Sequence, residues 1–253
     1  MWQILRFLKL ILELCFNLTI KYEKTENKEA RFNLCKGYLS IALFGVTVSF
    51  RKNSNNFIFL KKNKKTKRII HINGLKIRFK GQNNKIIVGK NCKFKDSVIE
   101  FWGDNVTIEI GKNCVFNSLK SICAGSEEGN KIIIGDNFFS TDRVQFYAGG
   151  GSNNDIKIGD NCLFSRDITI YAHDGHNIYD LQTNEIINKS KHNLVIGNNV
   201  WLGHGVIVIK NSVIPNNTIV GAKSIVSGVF EEENTILAGH PAKKIKSNIY
   251  WEK

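Results

Sequence analysis

The chain has 253 residues, of which 42% are apolar and 23% are charged, and its formal net charge is +14. This composition is ordinary for a globular protein and excludes a chain that is disordered throughout. Residues 1–80 contain 18 basic and four acidic side chains, whereas residues 81–253 contain 18 of each. The excess of positive charge therefore lies in the first third of the chain, and it predicts two parts with different roles: a basic, apolar and partly helical cap over residues 1–68, and a main domain over residues 69–253.

The N-terminal stretch Met1–Ile20 is mostly apolar, but Arg6, Lys9 and Glu13 interrupt it. The interruptions argue against a transmembrane helix, and no small-residue cleavage site of a signal peptide follows the stretch. We therefore expect a helix over Trp2–Tyr22 that lies on a membrane surface or on the protein itself. The expected location is the cytoplasm, with peripheral contact to the inner membrane through the basic first third of the chain.

A tetrapeptide of the form Ile/Val-Gly-X-Asn recurs through the rest of the chain. Its successive glycines are separated by 22, 24, 24 and 38 residues, and a proline takes the glycine position 18 residues after the last of them. Eighteen residues are three hexapeptides, and an apolar residue recurs every six residues between Val195 and Val226. This is the hexapeptide pattern of a left-handed parallel β-helix, in which each hexapeptide forms one face of a triangular coil. Gly and Asn are expected at the corners, because few other residues tolerate a positive φ.

Three cysteines, Cys92, Cys114 and Cys162, each directly follow the tetrapeptide. No CxxC or Cys/His spacing of a zinc site is present, so we interpret them as small residues that pack inward and expect no metal. Beyond the repeats, residues 230–253 are expected to close the end of the β-helix, with a short helix or a tail at Ile245–Tyr250.

One coil is interrupted by a 20-residue excursion, Asp174–Asn193. A regular coil has no structural need for such a loop, and long loops on rigid scaffolds commonly carry function. The start of the loop concentrates His173, Asp174 and His176. The sequence therefore predicts that the chemistry occurs here.

Three motifs in this order resemble those of the hexapeptide-repeat acyltransferases, and among them those of bacterial capsule and O-antigen polysaccharide O-acetyltransferases. They are Asp174-Gly175-His176 before an Ile-Tyr-Asp sequence, Val200-Trp201-Leu202-Gly203, and Ala238-Gly239-His240-Pro241-Ala242-Lys243. The resemblance covers about residues 70–250. It implies transfer of an acetyl group from acetyl-CoA to a hydroxyl of a bacterial surface polysaccharide or of its precursor.

The resemblance also implies roles for single residues. His176 would be the general base, because an imidazole with a pKa near ~6.5 suits removal of a hydroxyl proton, and Asp174 would orient its ring. His173 stays open as an alternative base. Contacts to the CoA moiety are implied for Trp201, His204, Ala222, Ser227, Lys243 and Lys246. The family is trimeric, which implies a homotrimer with its active sites at subunit interfaces.

Other functions stay open at this point. One is O- or N-acetylation of a small free or nucleotide-linked sugar, and another is a non-catalytic or metal-binding β-helix protein. The basic run of residues 61–68 raises the question of nucleic acid, but no nucleic-acid fold accompanies it and no aromatic residues interleave it, so we expect no such partner. We expect the basic residues of 1–80 to hold the protein near an anionic membrane or an acidic glycan.

Overall fold

The computed structural model describes residues 18–24, 31–35, 38–43, 46–52, 56–62, 65–69, 72–123, 129–149 and 154–252. All regular elements within these residues are β-strands. The helix predicted over Trp2–Tyr22 begins outside the described residues, and its last five residues lie in strand β1 (Leu18–Lys24), where the helix prediction is wrong. Apolar and polar residues alternate there as Leu-Thr-Ile-Lys-Tyr, which is the period-two pattern of a strand.

The N-terminal segment forms a small antiparallel sheet. It contains β1, β2 (Arg31–Cys35), β3 (Tyr38–Leu43) and β4 (Val46–Lys52), in the order β1-β4-β3-β2. Only two residues separate β2 from β3 and β3 from β4, and the second of each pair is glycine, as is common in tight hairpins.

The rest of the described chain consists of short strands arranged in three sheets. In chain order they are β5 (Phe57–Lys62), β6 (Lys65–Ile69), β7 (Leu75–Phe79), β8 (Lys85–Gly89), β9 (Lys93–Lys95), β10 (Ser97–Phe101), β11 (Thr107–Ile110), β12 (Val115–Asn117), β13 (Leu119–Cys123), β14 (Lys131–Ile134), β15 (Phe139–Ser140), β16 (Val144–Ala148), β17 (Ile156–Ile158), β18 (Leu163–Phe164), β19 (Thr169–Tyr171), β20 (Leu194–Ile196), β21 (Trp201–Leu202), β22 (Ile207–Ile209), β23 (Val213–Ile214), β24 (Ile219–Val220), β25 (Ile225–Val226), β26 (Ile236–Gly239) and β27 (Ala242–Lys246).

These strands build a parallel β-helix with three flat faces. Face 1 has the strand order β23-β20-β17-β14-β11-β8-β5-β6, face 2 the order β27-β26-β24-β21-β18-β15-β12-β9, and face 3 the order β25-β22-β19-β16-β13-β10-β7. From β8 to β25 each coil contributes one strand to face 1, then face 2, then face 3, as the hexapeptide spacing predicts. The chain therefore turns a corner three times per coil, and we name the corners edge 1–2, edge 2–3 and edge 3–1.

Both ends of the prism carry an antiparallel strand. Strand β5 already pairs in parallel with β8, and β6 folds back on β5, so the described prism includes residues of the predicted cap. At the other end β26 and β27 form a hairpin on face 2. The segment Ile245–Tyr250 starts within β27 and continues without regular structure, so it is a tail rather than a helix.

Apolar side chains at matching positions of successive coils stack inside the prism. On face 1, Ile86, Ile108, Ile132 and Ile156 lie opposite one another in register, and each is at most 2% exposed. Burying one such side chain contributes about 1.5–3 kcal/mol, so the repeat itself supplies the core.

The coil formed by β14, β15 and β16 departs from the stacking of apolar side chains on face 2, and a neighbouring residue compensates for the lost volume. Phe94 and Phe116 stack with ring centroids 5.0 Å apart, but the next residue in this column is Ser140. The missing volume is filled by Phe138, two residues earlier, whose ring centroid lies 5.0 Å from Phe116 and 4.9 Å from Phe164.

In the neighbouring coils the position of Phe138 is taken by Cys114 and Cys162, both fully buried in the apolar core. Cys92, at the same repeat position in the coil formed by β8, β9 and β10, is partly exposed and packs against that core. The inward packing predicted for these cysteines is confirmed.

Asparagine and glycine make edge 1–2 possible. Asn113, Asn137 and Asn161 have φ values of 58°, 57° and 59°, and their side-chain amides form a ladder with N···O distances of 3.1 and 2.9 Å. A Cβ atom on Gly135 would lie 2.6 Å from the carbonyl carbon of Gly159, so only glycine fits between the coils. The predicted corner positions of both residue types are confirmed, and asparagine has the predicted positive φ. Glycine does not have a positive φ at this position, and the close approach of the next coil requires it instead.

Candidate functional site

The excursion Asp174–Asn193 leaves the prism at edge 3–1, between β19 and β20. Its middle is a hairpin arm, in which the Ile187 N–H donates to the Ile178 carbonyl over 2.9 Å and Tyr179 pairs with Ile186. The arm is therefore an ordered projection on a rigid edge.

The tip of this arm is a tight turn held by Asp180. Its carboxylate accepts hydrogen bonds from the backbone N–H groups of Gln182 and Thr183, at 2.8 and 2.9 Å. Leu181, beside this turn, is fully exposed.

The base of the excursion is tied to the next coil through Asp174. Its carboxylate accepts hydrogen bonds from the Lys210 ammonium and from the Asn188 side-chain amide, the latter at 2.7 Å. Lys210 also donates to the backbone carbonyl of Asn188. Partial burial alone would raise the pKa of Asp174, but the hydrogen bonds from Lys210 and Asn188 hold it below its ordinary value. Asp174 is therefore an anion that fixes the loop to edge 3–1.

His176 lies on the exposed side of this brace. The Asn188 amide donates to its backbone carbonyl over 2.9 Å, while its ring makes no hydrogen bond to any residue that the structure describes. Asp174 and His176 are not joined by a hydrogen bond within these residues, so Asp174 orients the loop rather than the His176 ring in this conformation. Both ring nitrogens of His176 are available to a substrate.

His173 is in a different environment from His176. Its Nδ1 accepts a hydrogen bond from the backbone N–H of Gly175 over 2.9 Å, so the neutral ring carries its proton on Nε2. Burial lowers the pKa of His173, and the nearby Asp174 charge only partly opposes this effect. His173 therefore closes the turn before His176 and cannot act as a base through Nε2 in this form.

Two further groups that sequence reasoning missed hold the loop. Asn211 accepts a hydrogen bond from the backbone N–H of Lys191 over 2.7 Å, and Lys210 makes the contacts described above. Both stand 20 or more residues along the chain from the loop residues they hold. The pairing appears only when coils stack, and no local motif marks these residues.

Trp201, the first of the predicted CoA contacts, lies on the outer side of face 2. Its indole N–H donates to the Ser165 hydroxyl over 3.1 Å, and its ring centroid lies 5.9 Å from that of Trp251 in the tail. The Trp251 N–H in turn donates to the backbone carbonyl of Asn199 over 2.9 Å. The C-terminal tail therefore covers one side of Trp201 and leaves the ring partly exposed.

The other predicted contacts are spread over two edges of the prism. His204 and Ala222 lie at edge 2–3 on adjacent coils, and the His204 Nδ1 lies 3.8 Å from the carboxylate of Asp167. Lys243 and Lys246 are exposed on the last strand of face 2. Ser227 follows β25 and lies near edge 3–1.

The structure brings His173, Asp174 and His176 together but separates them from most of the predicted CoA contacts. His204 precedes strand β22 of face 3, and Lys210, which holds the loop, follows it. Six residues separate the two positions, which corresponds to about 20 Å at ~3.3 Å per residue. One prism therefore presents the histidines at edge 3–1 and the residues of face 2 on the opposite side.

The described residues contain no cluster of three or more His, Cys, Asp or Glu side chains that could hold a metal ion. Within the same residues, no helix is long and apolar enough to cross a membrane.

Comparison with known proteins points to one group of enzymes. No family model matches the chain. A stretch of 64 residues, 24% of this chain, is 47% identical to WbbJ of Escherichia coli (strain K12), whose name describes it provisionally as a lipopolysaccharide biosynthesis O-acetyl transferase. The match spans about a third of that relative's length (32%).

Two solved structures resemble most of the prism. The polysialic acid O-acetyltransferase OatWY matches 79% of this chain and 88% of its own, with a TM-score of 0.63 and 29% sequence identity. The polySia-specific acetyltransferase NeuO matches 79% of each chain, with a TM-score of 0.52 and 26% identity. The left-handed β-helix predicted from the hexapeptide spacing is confirmed, and the chain resembles, in fold and in sequence, the hexapeptide-repeat acyltransferases and among them polysaccharide O-acetyltransferases.

Proposed function

We propose that this protein transfers an acetyl group from acetyl-CoA to a hydroxyl of a bacterial surface polysaccharide or of its precursor. The observation that carries the proposal is an ordered loop with an exposed histidine, His176, on a prism whose fold matches OatWY over 79% of the chain. OatWY and NeuO are described as acting on polysialic acid and WbbJ as an O-acetyl transferase of lipopolysaccharide biosynthesis, so all three names connect acetyl transfer with a polysaccharide-containing molecule.

The proposed chemistry needs one base. A sugar hydroxyl oxygen attacks the thioester carbonyl carbon, a C–O bond forms, and the C–S bond to CoA breaks. The His176 ring takes the hydroxyl proton and passes it to the departing sulfur, which leaves as the thiol. A positioned base of this kind contributes about 10²–10⁴-fold to the rate. The environment of His176 suits the role, because its ring is exposed and makes no hydrogen bond within the described chain.

We assign Asp174 and His173 to positioning rather than to proton transfer. Asp174 is held by Lys210 and Asn188, and His173 Nδ1 is occupied by the Gly175 N–H. Both interactions fix the short segment that carries His176.

The proposed active site lies between subunits of a homotrimer. One prism places His176 at edge 3–1 and Trp201 on the opposite face 2, so a second prism must supply one of them. The outer side of face 2 supports this arrangement because it carries a continuous column of apolar residues from successive coils: Val115, Phe139, Leu163, Trp201, Ile219 and Ile236. Such a column is typical of a covered surface.

The CoA moiety is then expected along face 2, where Trp201 would line the thioester end. Lys243 and Lys246 are exposed beside this column and suit the negative phosphates. His204 and Ala222 keep their proposed contact roles from edge 2–3, which borders face 2. Ser227 lies near edge 3–1 and keeps its proposed role from the prism that supplies His176.

The experiment is an acetyl-transfer assay with the purified full chain and acetyl-CoA, in which release of free thiol is measured. Acidic polysaccharides are compared with free sugars and nucleotide-linked sugars. The proposal expects the highest kcat/KM with a polymer. Transfer only to small sugars would contradict the polymer assignment, and no transfer to any acceptor would contradict the enzyme assignment.

A further inference from the structure

The outer side of face 3 changes character along the prism. Its outward positions on β22 and β25 are isoleucines, those on β16 and β19 include two tyrosines, and those on β7 are basic. The tyrosine zone ends directly at the loop that carries His176. A surface of aromatic and then basic residues thus leads along face 3 from the proposed site towards β7.

The aromatic zone begins next to the loop. Tyr171, the last residue of β19, is 38% exposed, and its ring stacks on that of Tyr147 with centroids 4.7 Å apart and an interplanar angle of 12°. The Tyr147 hydroxyl donates to the Gln145 side chain over 2.7 Å. Because the rings lie face to face, each covers one face of the other, and together they form a rigid platform that presents ring edges and hydroxyl groups. Such a platform suits contact with the hydroxyl groups of a sugar.

The end of face 3 formed by β7 and β10 has a second aromatic platform, built around a buried carboxylate. Glu100 is only 8% exposed, yet it accepts hydrogen bonds from the Arg78 guanidinium and, over 3.0 Å, from the Trp102 indole N–H. The Lys80 ammonium lies 3.9 Å from the centroid of the Trp102 ring, which is itself 50% exposed. Glu100 therefore fixes an exposed indole with a cation beside it.

The charge on this part of face 3 is positive. Four cations lie on this part of face 3: Lys76 and Arg78 on β7, Lys80 directly after it, and Lys120 on β13. Glu100 is the single carboxylate at the outward positions of the described strands β7, β10 and β13. Strands β10 and β19 are three inter-strand steps apart, or about 14 Å at ~4.8 Å per step. Only an extended acceptor can touch both platforms.

We propose that the outer side of face 3 binds an anionic glycan chain, with Tyr147 and Tyr171 holding the sugars next to the reacting hydroxyl and Trp102, Lys80 and Arg78 holding carboxylate-bearing sugars farther along the chain. This inference rests on the proposed function and narrows its substrate class to acidic polymers. Charge complementarity and continuity with the loop support it. The proposal assigns part of the basic excess of residues 1–80 to acceptor binding.

The test compares the wild-type full chain with a variant that carries Lys80→Gln and Trp102→Ala. Both side chains are exposed, so the fold should persist. The acceptors are a sialic acid polymer and its disaccharide, and the result is expressed as the ratio of kcat/KM for the polymer to kcat/KM for the disaccharide. The expected fall of this ratio is about tenfold, which corresponds to a loss of ~1.4 kcal/mol in polymer binding. Lys157→Gln, which removes an exposed cation from face 1, is the matched control and should leave the ratio unchanged.

An unchanged ratio in the double variant would overturn the proposal. A second measurement, titration of the polymer into the protein without acetyl-CoA, gives a dissociation constant that does not depend on turnover. If the wild type binds the polymer but transfers no acetyl group, the proposed function is wrong. The proposal for face 3 is then tested by the affinity of the double variant for the polymer. If the double variant loses as much affinity for a single-stranded oligonucleotide as for the sialic acid polymer, face 3 is a general polyanion surface and the glycan assignment is contradicted. Dextran is the neutral-polymer control.

Discussion

His173 and His176 stand three residues apart, but their ring nitrogens are in different situations. His173 uses Nδ1 to accept a backbone hydrogen bond from Gly175, whereas the His176 ring makes none within the described residues. The residue pattern alone left both open as the base. The hydrogen bond distinguishes them, because a neutral His173 presents a proton rather than a lone pair at Nε2.

Replacing His173 separates positioning from proton transfer. We expect His173→Ala to lower kcat about fivefold, since one neutral hydrogen bond contributes ~1 kcal/mol to holding the turn. His173→Asn should recover most of the rate, because its side-chain oxygen can accept the same N–H. Measured pH–rate profiles should keep their shape in both variants, and a shifted acidic limb would show instead that His173 is the titrating base.

The lowered pKa of His173 also predicts a pH dependence of stability. The folded protein disfavours protonation of this ring, so the unfolded chain binds more protons below the ordinary pKa of ~6.5. The contribution of His173 to stability is therefore complete above that pH and declines as pH falls towards the lower folded-state pKa. Chemical denaturation at pH 7.5 and 5.5 should show a smaller loss of stability in His173→Asn than in the wild type, and an equal loss would contradict the assignment.

At the scale of elements, Asp174 and Lys210 join the loop to the neighbouring coil. Lys210→Met removes the cation that holds Asp174, and we expect kcat to fall about tenfold, the effect of losing a charge-assisted hydrogen bond of ~1.5 kcal/mol. Lys210→Arg should retain most of the rate, because its guanidinium also donates to a carboxylate. Thermal unfolding is the control: an equal loss of activity that accompanies a large fall in Tm would indicate a general loss of folding.

The coil formed by β14, β15 and β16 offers a test of core packing. Phe138→Cys should leave a cavity and Ser140→Phe should overpack the core, and each is expected to cost about 2–4 kcal/mol in the free energy of unfolding. The double variant reproduces the neighbouring coils, which have cysteine and phenylalanine at these positions, so it should recover at least half of the summed loss. A double-mutant cycle from urea unfolding measures this recovery, and simple additivity of the two losses would contradict the account.

The elements of the prism could be predicted because each strand and corner follows a local rule: apolar residues every six positions, and Gly or Asn at the corners. The strands of the N-terminal sheet were missed in part, since an apolar stretch such as Leu18–Tyr22 suits either a helix or a strand until its alternation is weighed. The loop's histidines could be found from sequence. Lys210 and the Arg78–Glu100 pair could not, because coil stacking brings these side chains together across 22 to 36 residues. Asn188 could not either, because its contacts depend on how the loop folds back on itself.

At the scale of the whole molecule, the proposed trimer depends on the apolar outer column of face 2. We expect Leu163→Asp to convert trimers into monomers, because a charge buried at an interface without a partner costs several kcal/mol. Analytical ultracentrifugation measures the change, and circular dichroism checks that the β-helix persists. Lys157→Asp on face 1 is the matched control and should remain trimeric, whereas a trimeric Leu163→Asp protein would place the interface elsewhere.

The central claim is that His176 is the base of an acetyl-CoA-dependent transfer to a glycan hydroxyl. The most direct measurement is kcat for thiol release by His176→Ala, with the wild type and Lys157→Ala assayed beside it on the same acidic polysaccharide. We predict a fall of at least about 10²-fold for His176→Ala and none for the control, with the same oligomeric state and Tm in all three proteins. A His176→Ala enzyme that retains the wild-type kcat would contradict the account.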